Sequence, residues 1–321
     1  PSPKPLFLRG ARQVGKTYLL EAFGARRFKQ CHYVNFEEHE SFIPVFAGDL
    51  SPKRIIQDLS LQLNSPINLQ EDLLILDEVQ QCPRALTSLK YFAERMPELA
   101  VCAAGSLLGV HLAECSFPVG KVDELYMFPL TFEEFLLAGP NTMLYEAFAT
   151  IDGVTPLSET LHAKLWEEFK LYLVTGGLPE VVATFMGARE DLLTAFREVR
   201  SIQTRLISEY VADMAKHCGK QNAMHLERLW RNVPAQLARE QDGSAPKFVF
   251  KDVLPSVKGY ERLAGTIDWL ASAGLIIRLP IVNSGQLPFA GYERESFFKL
   301  FVFDVGILGA LSRLPATSIL D

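Results

Sequence analysis

The sequence has no paired-cysteine framework, no excess of positive charge, no apolar run long enough for a bilayer and no histidine cluster. Its five cysteines, Cys31, Cys82, Cys102, Cys115 and Cys218, are odd in number and never form a C-x-x-C pair. Neither a disulfide scaffold nor a zinc knuckle fits them, so a reducing, cytoplasmic setting is expected. Lysine and arginine total 32 against 38 acids, a formal net charge of −6. Divided at residue 138, the two parts carry 13 basic against 17 acidic residues and 19 against 21. Neither part has the charge of a whole-domain nucleic-acid surface. The most apolar stretch, 99–113, contains Ser106 and His111 and falls short of the roughly 20 residues of a membrane helix. No membrane partner is expected. His32, His39, His111, His162, His217 and His225 show no metal-ligand spacing. Internal repeats are lacking, and the chain begins at Pro1 rather than methionine, so targeting information at the true N-terminus is expected to be lost.

What is present is the composition of a globular protein, 48% hydrophobic and 22% charged over 321 residues, enough for two ordinary domains. The first 138 residues alternate apolar runs with helical patterns. Strands are expected at 5–9, 32–36, 73–79, 100–105 and 125–128, with a crossover helix at 52–63. Their near-continuous apolar character suits strands buried on both faces. This reads as α/β, a parallel sheet sandwiched by helices. From 144 to about 218 the pattern is helical, interrupted by "TGGLPE" at 175–180. Beyond it, Leu226, Leu229, Trp230, Val233 and Leu237 make one helical stripe, and Tyr260, Leu263, Ala264, Ile267, Leu270 and Ala271 a second. Between them, "FVFKDVL" (248–254) is a short strand or the start of a helix, and 241–246 a flexible loop. "LIIRLPIV" and "SFFKLFVFDVG" read as strands around a turn at 283–286. That order is the order of a winged helix. The expected division is 1–138, a P-loop domain; 139–218, a helical lid or linker; and 219–321, a winged-helix-like α+β domain.

"GARQVGKT" fits G-x-x-x-x-G-K-[ST], after an apolar strand and before the helical run "YLLEAF". Gly10, Ala11, Arg12, Gln13, Val14, Gly15, Lys16, Thr17 and Tyr18 are the expected nucleotide-binding residues. The glycines let backbone N–H groups wrap a phosphate, Lys16 places its charge on the β/γ-phosphates of ATP, and Thr17 offers a hydroxyl to Mg²⁺. "LLILDEVQ" delivers Asp77 and Glu78 to the C-terminal end of a buried strand, where open α/β sheets bind ligands. Asp77 is the second Mg²⁺ residue, and Glu78, with Lys16 the expected catalytic pair, activates the attacking water. A carboxylate in that place favours hydrolysis over phosphotransfer. Ser106, ending the fourth strand in "AAGSLLG", is either a γ-phosphate sensor or an N-cap.

These stretches resemble a family of bacterial and archaeal AAA-type ATPases that carry a C-terminal domain of unknown function. The likeness rests on "KPLFLRGARQVGKTYLL", "YVNFEE", "LLILDEVQ", "AAGSLLG", "FPVGKVDELYMFPLTFEEFL", "GGLPEVV", "VPAQLARE", "TIDWLASAGLI" and "FKLFVFDVGILGAL". It implies an AAA-type P-loop NTPase fold, ATP binding with Mg²⁺ and, beyond that, hydrolysis. In that family the winged helix leads into a restriction-nuclease-like part. Its acidic E-V-D-F-type motif is not among these 321 residues, so no nuclease-like role is expected of them.

The leading reading is an ATPase switch. The alternative is a DNA-binding or partner-binding regulator that uses ATP structurally with little hydrolysis; a small-molecule kinase ranks last because of Glu78. The exposed face of the second stripe, Lys258, Glu261, Arg262, Gly265, Asp268 and Ser272, balances two positive charges with two negative. That is a poor surface for tracking phosphates, so weak DNA binding ranks below a protein partner. Arg9, Arg12, Arg84, Arg95 and Lys121 are candidates for the charge on the developing phosphoryl group. A finger supplied by a neighbour would imply a homo-oligomer.

Overall fold

The computed structural model describes residues 4–106, 120–238, 247–251, 253–254 and 259–320. His111, Cys115, Lys258 and the 241–246 loop lie outside them. The described residues divide into two compact units, 1–128 and 129–321.

In the first unit, strands β1 (Leu6–Gly10), β2 (Gln30–Asn35), β3 (Asp72–Asp77), β4 (Ala100–Ser106) and β5 (Asp123–Met127) form a parallel sheet in the order β2-β3-β4-β1-β5. Every residue of β3 is buried. Side chains alternate across a strand, so Leu74 and Leu76 enter one apolar cluster while Leu73 and Ile75 enter another. The first cluster is completed by Ile55 and Leu59 of helix α2 (Pro52–Gln62) and Leu89 and Phe92 of helix α3 (Pro83–Arg95). The second takes Leu20 of helix α1 (Lys16–Arg27). Helices on both faces explain why the core strands read as continuous apolar runs. Pro52 and Pro83 open their helices, where a missing N–H costs nothing. Because the strands are parallel, Gly10, Asn35, Asp77 and Ser106 emerge on one edge; Asn35 pairs with Asp77, and Gly10 with Ser106.

The expectation of strands buried on both faces fails at β5. It has β1 on one side only, and Leu125 and Tyr126 are each 55% exposed. An apolar run cannot by itself tell an edge strand from a central one.

The second unit holds α4 (Phe132–Ala138), α5 (Thr142–Ala149), α6 (Glu159–Thr175), α7 (Pro179–Ala188), α8 (Leu192–Ala238), α9 (Ala264–Ser272), β6 (Ile276–Val282), β7 (Glu293–Val302), α10 (Val305–Leu311) and α11 (Thr317–Leu320). Contacts place α4 here, ten residues before the division expected at 138. Leu130 accounts for this: its N–H donates to Gly177 O at 2.7 Å, and its carbonyl accepts from Tyr172 Oη at 2.9 Å. Helix α8 is broken at Gly219 (φ 77°), but both its segments belong to this unit. β6 and β7 form an antiparallel hairpin. The described part of 248–254 is neither strand nor helix. Phe248 N donates once to Phe298 O, and Val249 exchanges two hydrogen bonds with the Gln236 side-chain amide in place of a ladder.

One buried carboxylate knits this unit. Asp304, 4% exposed, caps α10 by accepting from Ile307 N (2.8 Å) and reaches across to Gly177 N (2.7 Å). Gly176 is left-handed at φ 77°, and a Cβ there would lie 2.4 Å from Asp304 Oδ1. Gln203 closes the turn by donating to the carbonyls of Val174 and Thr175. Burial holds the Asp304 pKa above the ordinary carboxylate value, against the hydrogen bonds from Gly177, Ile307 and Gly306. Asp304→Ala strands two buried donors and should cost about 2–4 kcal/mol in urea unfolding; Asp304→Asn, which keeps an acceptor oxygen, should cost less.

Candidate functional site

The loop after β1 turns back on itself at the sheet edge. A Cβ at Gly10 would meet Met127 O at 2.4 Å, so only glycine fits there. The chain then passes through Gln13 (φ 64°) and Gly15 (φ 93°) into α1. Gly15 gives α1 no side-chain cap, and the first turn holds no acid. Helix N-termini arranged this way receive anions on their first N–H groups. Ala11 and Val14 are buried, so they face the loop with backbone rather than side chain; Tyr18 is 78% exposed.

Lys16 is buried at 6% exposure, with Nζ donating to Ala11 O (2.8 Å) and Gly10 O (3.3 Å). Burial lowers its pKa, against the upward pull of Glu78 and Asp77. Next to it, Thr17 Oγ1 donates to Asp77 Oδ2 at 2.6 Å across 60 residues of sequence. Tyr33 Oη donates to the same oxygen at 2.9 Å, and Asn35 Nδ2 donates to Tyr33 Oη. Asp77 Oδ1 accepts from Glu78 N at 2.8 Å. Burial, with Asp77 adding to it, raises the pKa of Tyr33.

Glu78 sits in the left-handed region (φ 53°, ψ 43°), which is uncommon for a residue with a side chain. Gln80 Nε2 donates to its carboxylate and also lies 3.5 Å from Ser106 Oγ. Burial raises the Glu78 pKa; the Gln80 hydrogen bond opposes this and Asp77 adds to it. Ser106 is buried at the end of β4, beside Gln80, and the segment it would cap lies outside the described residues.

The structure therefore brings Lys16, Thr17, Asp77, Glu78 and Ser106 together at one sheet edge. Among the described residues, no group of three or more His, Cys, Asp or Glu could hold a metal. The Thr17 hydroxyl and Asp77 carboxylate are nevertheless the hard oxygen donors that Mg²⁺ takes together with phosphate oxygens and water. An uncapped helix start beside a buried ammonium fits a nucleotide phosphate. Tyr33, Asn35 and Gln80 belong to this site and went unassigned in the sequence; periodicity carries no signal for them.

The expected finger cations are mostly engaged at home. Arg9 pairs with Glu124 (2.9 Å), Arg12 with Glu37 (3.4 Å) and Lys121 with Glu94 (3.1 Å), while Arg95 lies over the Tyr91 ring. Arg84 donates Nε to Phe46 O and Nη2 to Gly48 O, both at 2.6 Å. Arg84→Ala should therefore destabilise the chain by about 1–3 kcal/mol, read in urea unfolding, rather than act as a neutral surface change. On the second-stripe face, Asp268 is paired with Arg278 at 3.4 Å.

Residues 2–136 match the family model of the AAA domain, and residues 166–318 match a domain of unknown function, DUF8612. No curated protein matches the chain. Among solved structures, a Walker-type ATPase of Pyrococcus abyssi is similar at TM-score 0.53 and 15% identity, over 96% of this chain and 90% of that one. RuvB of Thermotoga maritima aligns at TM-score 0.38 and 15% identity, over 87% and 83%. Among the described residues, no helix is long and apolar enough to cross a membrane. Sheet order and phosphate-type loop give the N-terminal part the P-loop NTPase fold, and its sequence is similar to the AAA domain; the region that follows matches a domain of unknown function.

Proposed function

We propose that the chain is a Mg²⁺-dependent ATP hydrolase whose nucleotide state is passed to residues 129–321. The observation that carries this is the 2.6 Å hydrogen bond from Thr17 to Asp77, with Glu78 as the next residue. It puts a hydroxyl and a carboxylate together as Mg²⁺ donors and a third group beside them as base. Lys16 and the backbone of Gly10–Tyr18 bind and orient the phosphates. Bound Mg²⁺ supplies neutralisation of phosphate charge. Glu78, raised by burial, is poised to accept a proton from water, and Gln80 orients it. Ser106 reads the γ-phosphate through the same Gln80.

In the second unit, the α8 segment after Gly219, α9 and the β6–β7 hairpin support a winged-helix reading. Its surface suits a protein partner better than DNA. Of the five candidate cations, Arg95 is held by ring stacking alone among the described residues, which favours it as a finger in a homo-oligomer. Specific activity that rises with protein concentration, and falls in Arg95→Ala at unchanged stability, is the expected outcome.

The decisive measurement is phosphate release from ATP. Lys16→Ala should abolish ATP binding, and Glu78→Gln should retain binding while lowering turnover by about 10²–10⁴. Turnover unchanged in Glu78→Gln would leave a nucleotide-binding regulator rather than a hydrolase. The pH dependence has a definite sign. With its pKa raised, Glu78 takes up a proton above the ordinary carboxylate range, so the rate should fall as pH drops through that raised value. Gln80→Ala removes the hydrogen bond that lowers it and should move the acid limb further up.

A further inference from the structure

A cleft of about 920 Å³ opens in the second unit, between the first segment of α8 and the chain that leaves α10. Arg197 and Arg200 line it from one face of α8, at the i, i+3 spacing that sets side chains as neighbours. Arg231 comes from beyond the break at Gly219, and Arg313 from the opposite wall. Four arginines thus line one cleft in a chain whose net charge is −6, and no carboxylate is among the described lining residues.

Their hydrogen bonds are largely unspent. Arg200 is half-buried and donates Nη2 to Leu314 O at 3.1 Å, but its buried Nη1 has no partner among the described residues. Burial pulls its pKa below the ordinary arginine value. Arg231 shares its Nε with Glu227 at 2.8 Å. The hydroxyls of Thr204 and Ser208 donate back into α8, which leaves the arginines as the charged groups of the lining. Phe196, Ile207 and Leu314 supply apolar wall between them.

The geometry points to a binding site for a small phosphorylated compound, held by Arg197, Arg200, Arg231 and Arg313, with its carbon skeleton against the apolar wall. Guanidinium forks match phosphate oxygens two at a time, and the volume is that of a small-molecule pocket. A nucleic-acid backbone fits less well. It would leave the cleft past Glu227 at Arg231 and past Asp191, whose carboxylate already feels Arg197.

Inorganic pyrophosphate is the probe, titrated calorimetrically into the full chain carrying Lys16→Ala. Hydrogen exchange localises the contact to residues 193–208 and 310–316. The expected result is saturable binding with slowed exchange in those two segments, weakened about tenfold or more by Arg200→Ala. Because Arg200 also holds Leu314, Arg197→Ala and Arg313→Ala, both at exposed positions, should give the same direction without loss of fold. Arg205→Ala, whose partners are Glu180 and Glu209, should change nothing. The proposal is overturned by absent binding, by protection elsewhere, by equal loss in Arg205→Ala, or by tighter, steeply salt-dependent binding of an oligonucleotide at the same arginines.

Discussion

Asp77 is a carboxylate at 1% exposure, and a buried charge of this kind persists only with donors around it. It has three: Thr17 Oγ1, Tyr33 Oη and Glu78 N. They come from α1, β2 and the turn after β3, so one side chain fixes the register of three elements at the sheet edge. The position of Lys16 follows from that of Thr17, its neighbour in the first turn of α1. The backbone bend at Glu78 follows from Asp77 Oδ1 taking the next N–H. Disturbing the carboxylate would loosen the loop, the strand end and the following turn together, while leaving the apolar clusters on both faces of the sheet intact.

Much of this was legible in the sequence, for physical reasons that can be named. A central parallel strand must be apolar throughout, so "LLIL" declares itself, and the glycine spacing of the loop answers a steric demand visible at Gly10 and Gly15. The illegible parts have causes too. β5 looks like a core strand because residues that would suit a core also tolerate an edge. Residues 248–254 look like a short strand or the start of a helix, yet Val249 finds its partners in a side chain, Gln236, and Phe248 in a single carbonyl. Arg84 looks like a free surface cation, because nothing in a sequence says that a carbonyl at Phe46 or Gly48 lies within reach. Tyr33 and Asn35 went unassigned for the same reason: hydrogen bonds across strands follow from register, and register is set by the whole sheet.

The second unit uses the same device with a different outcome. Asp304 ties α10 to the turn between α6 and α7 as Asp77 ties the loop to the sheet. Here, though, the donors are backbone N–H groups and the neighbours are glycines. Gly176, Gly177 and Gly306 let backbone approach so closely that a Cβ would fall within 2.0 to 2.4 Å of another atom at each. A site so tightly filled has no space for a ligand, which makes it a structural joint. The arginine cleft is its opposite: roomy, charged and short of partners.

Asp77 and Glu78 are adjacent carboxylates with unlike surroundings. Asp77 accepts from Thr17 Oγ1, Tyr33 Oη and Glu78 N. Glu78 has one side-chain donor, Gln80, and is pushed by burial toward its protonated form. Holding Glu78 at positive φ costs about 1–3 kcal/mol, a strain that a mere cap on the following turn would not require. What the strained backbone secures is that two consecutive residues, which on an extended strand would point to opposite faces, turn their carboxylates to one edge. On the hydrolase reading proposed above, that shared edge would set the base beside the Mg²⁺ donors, a placement that two carboxylates on opposite faces could not provide.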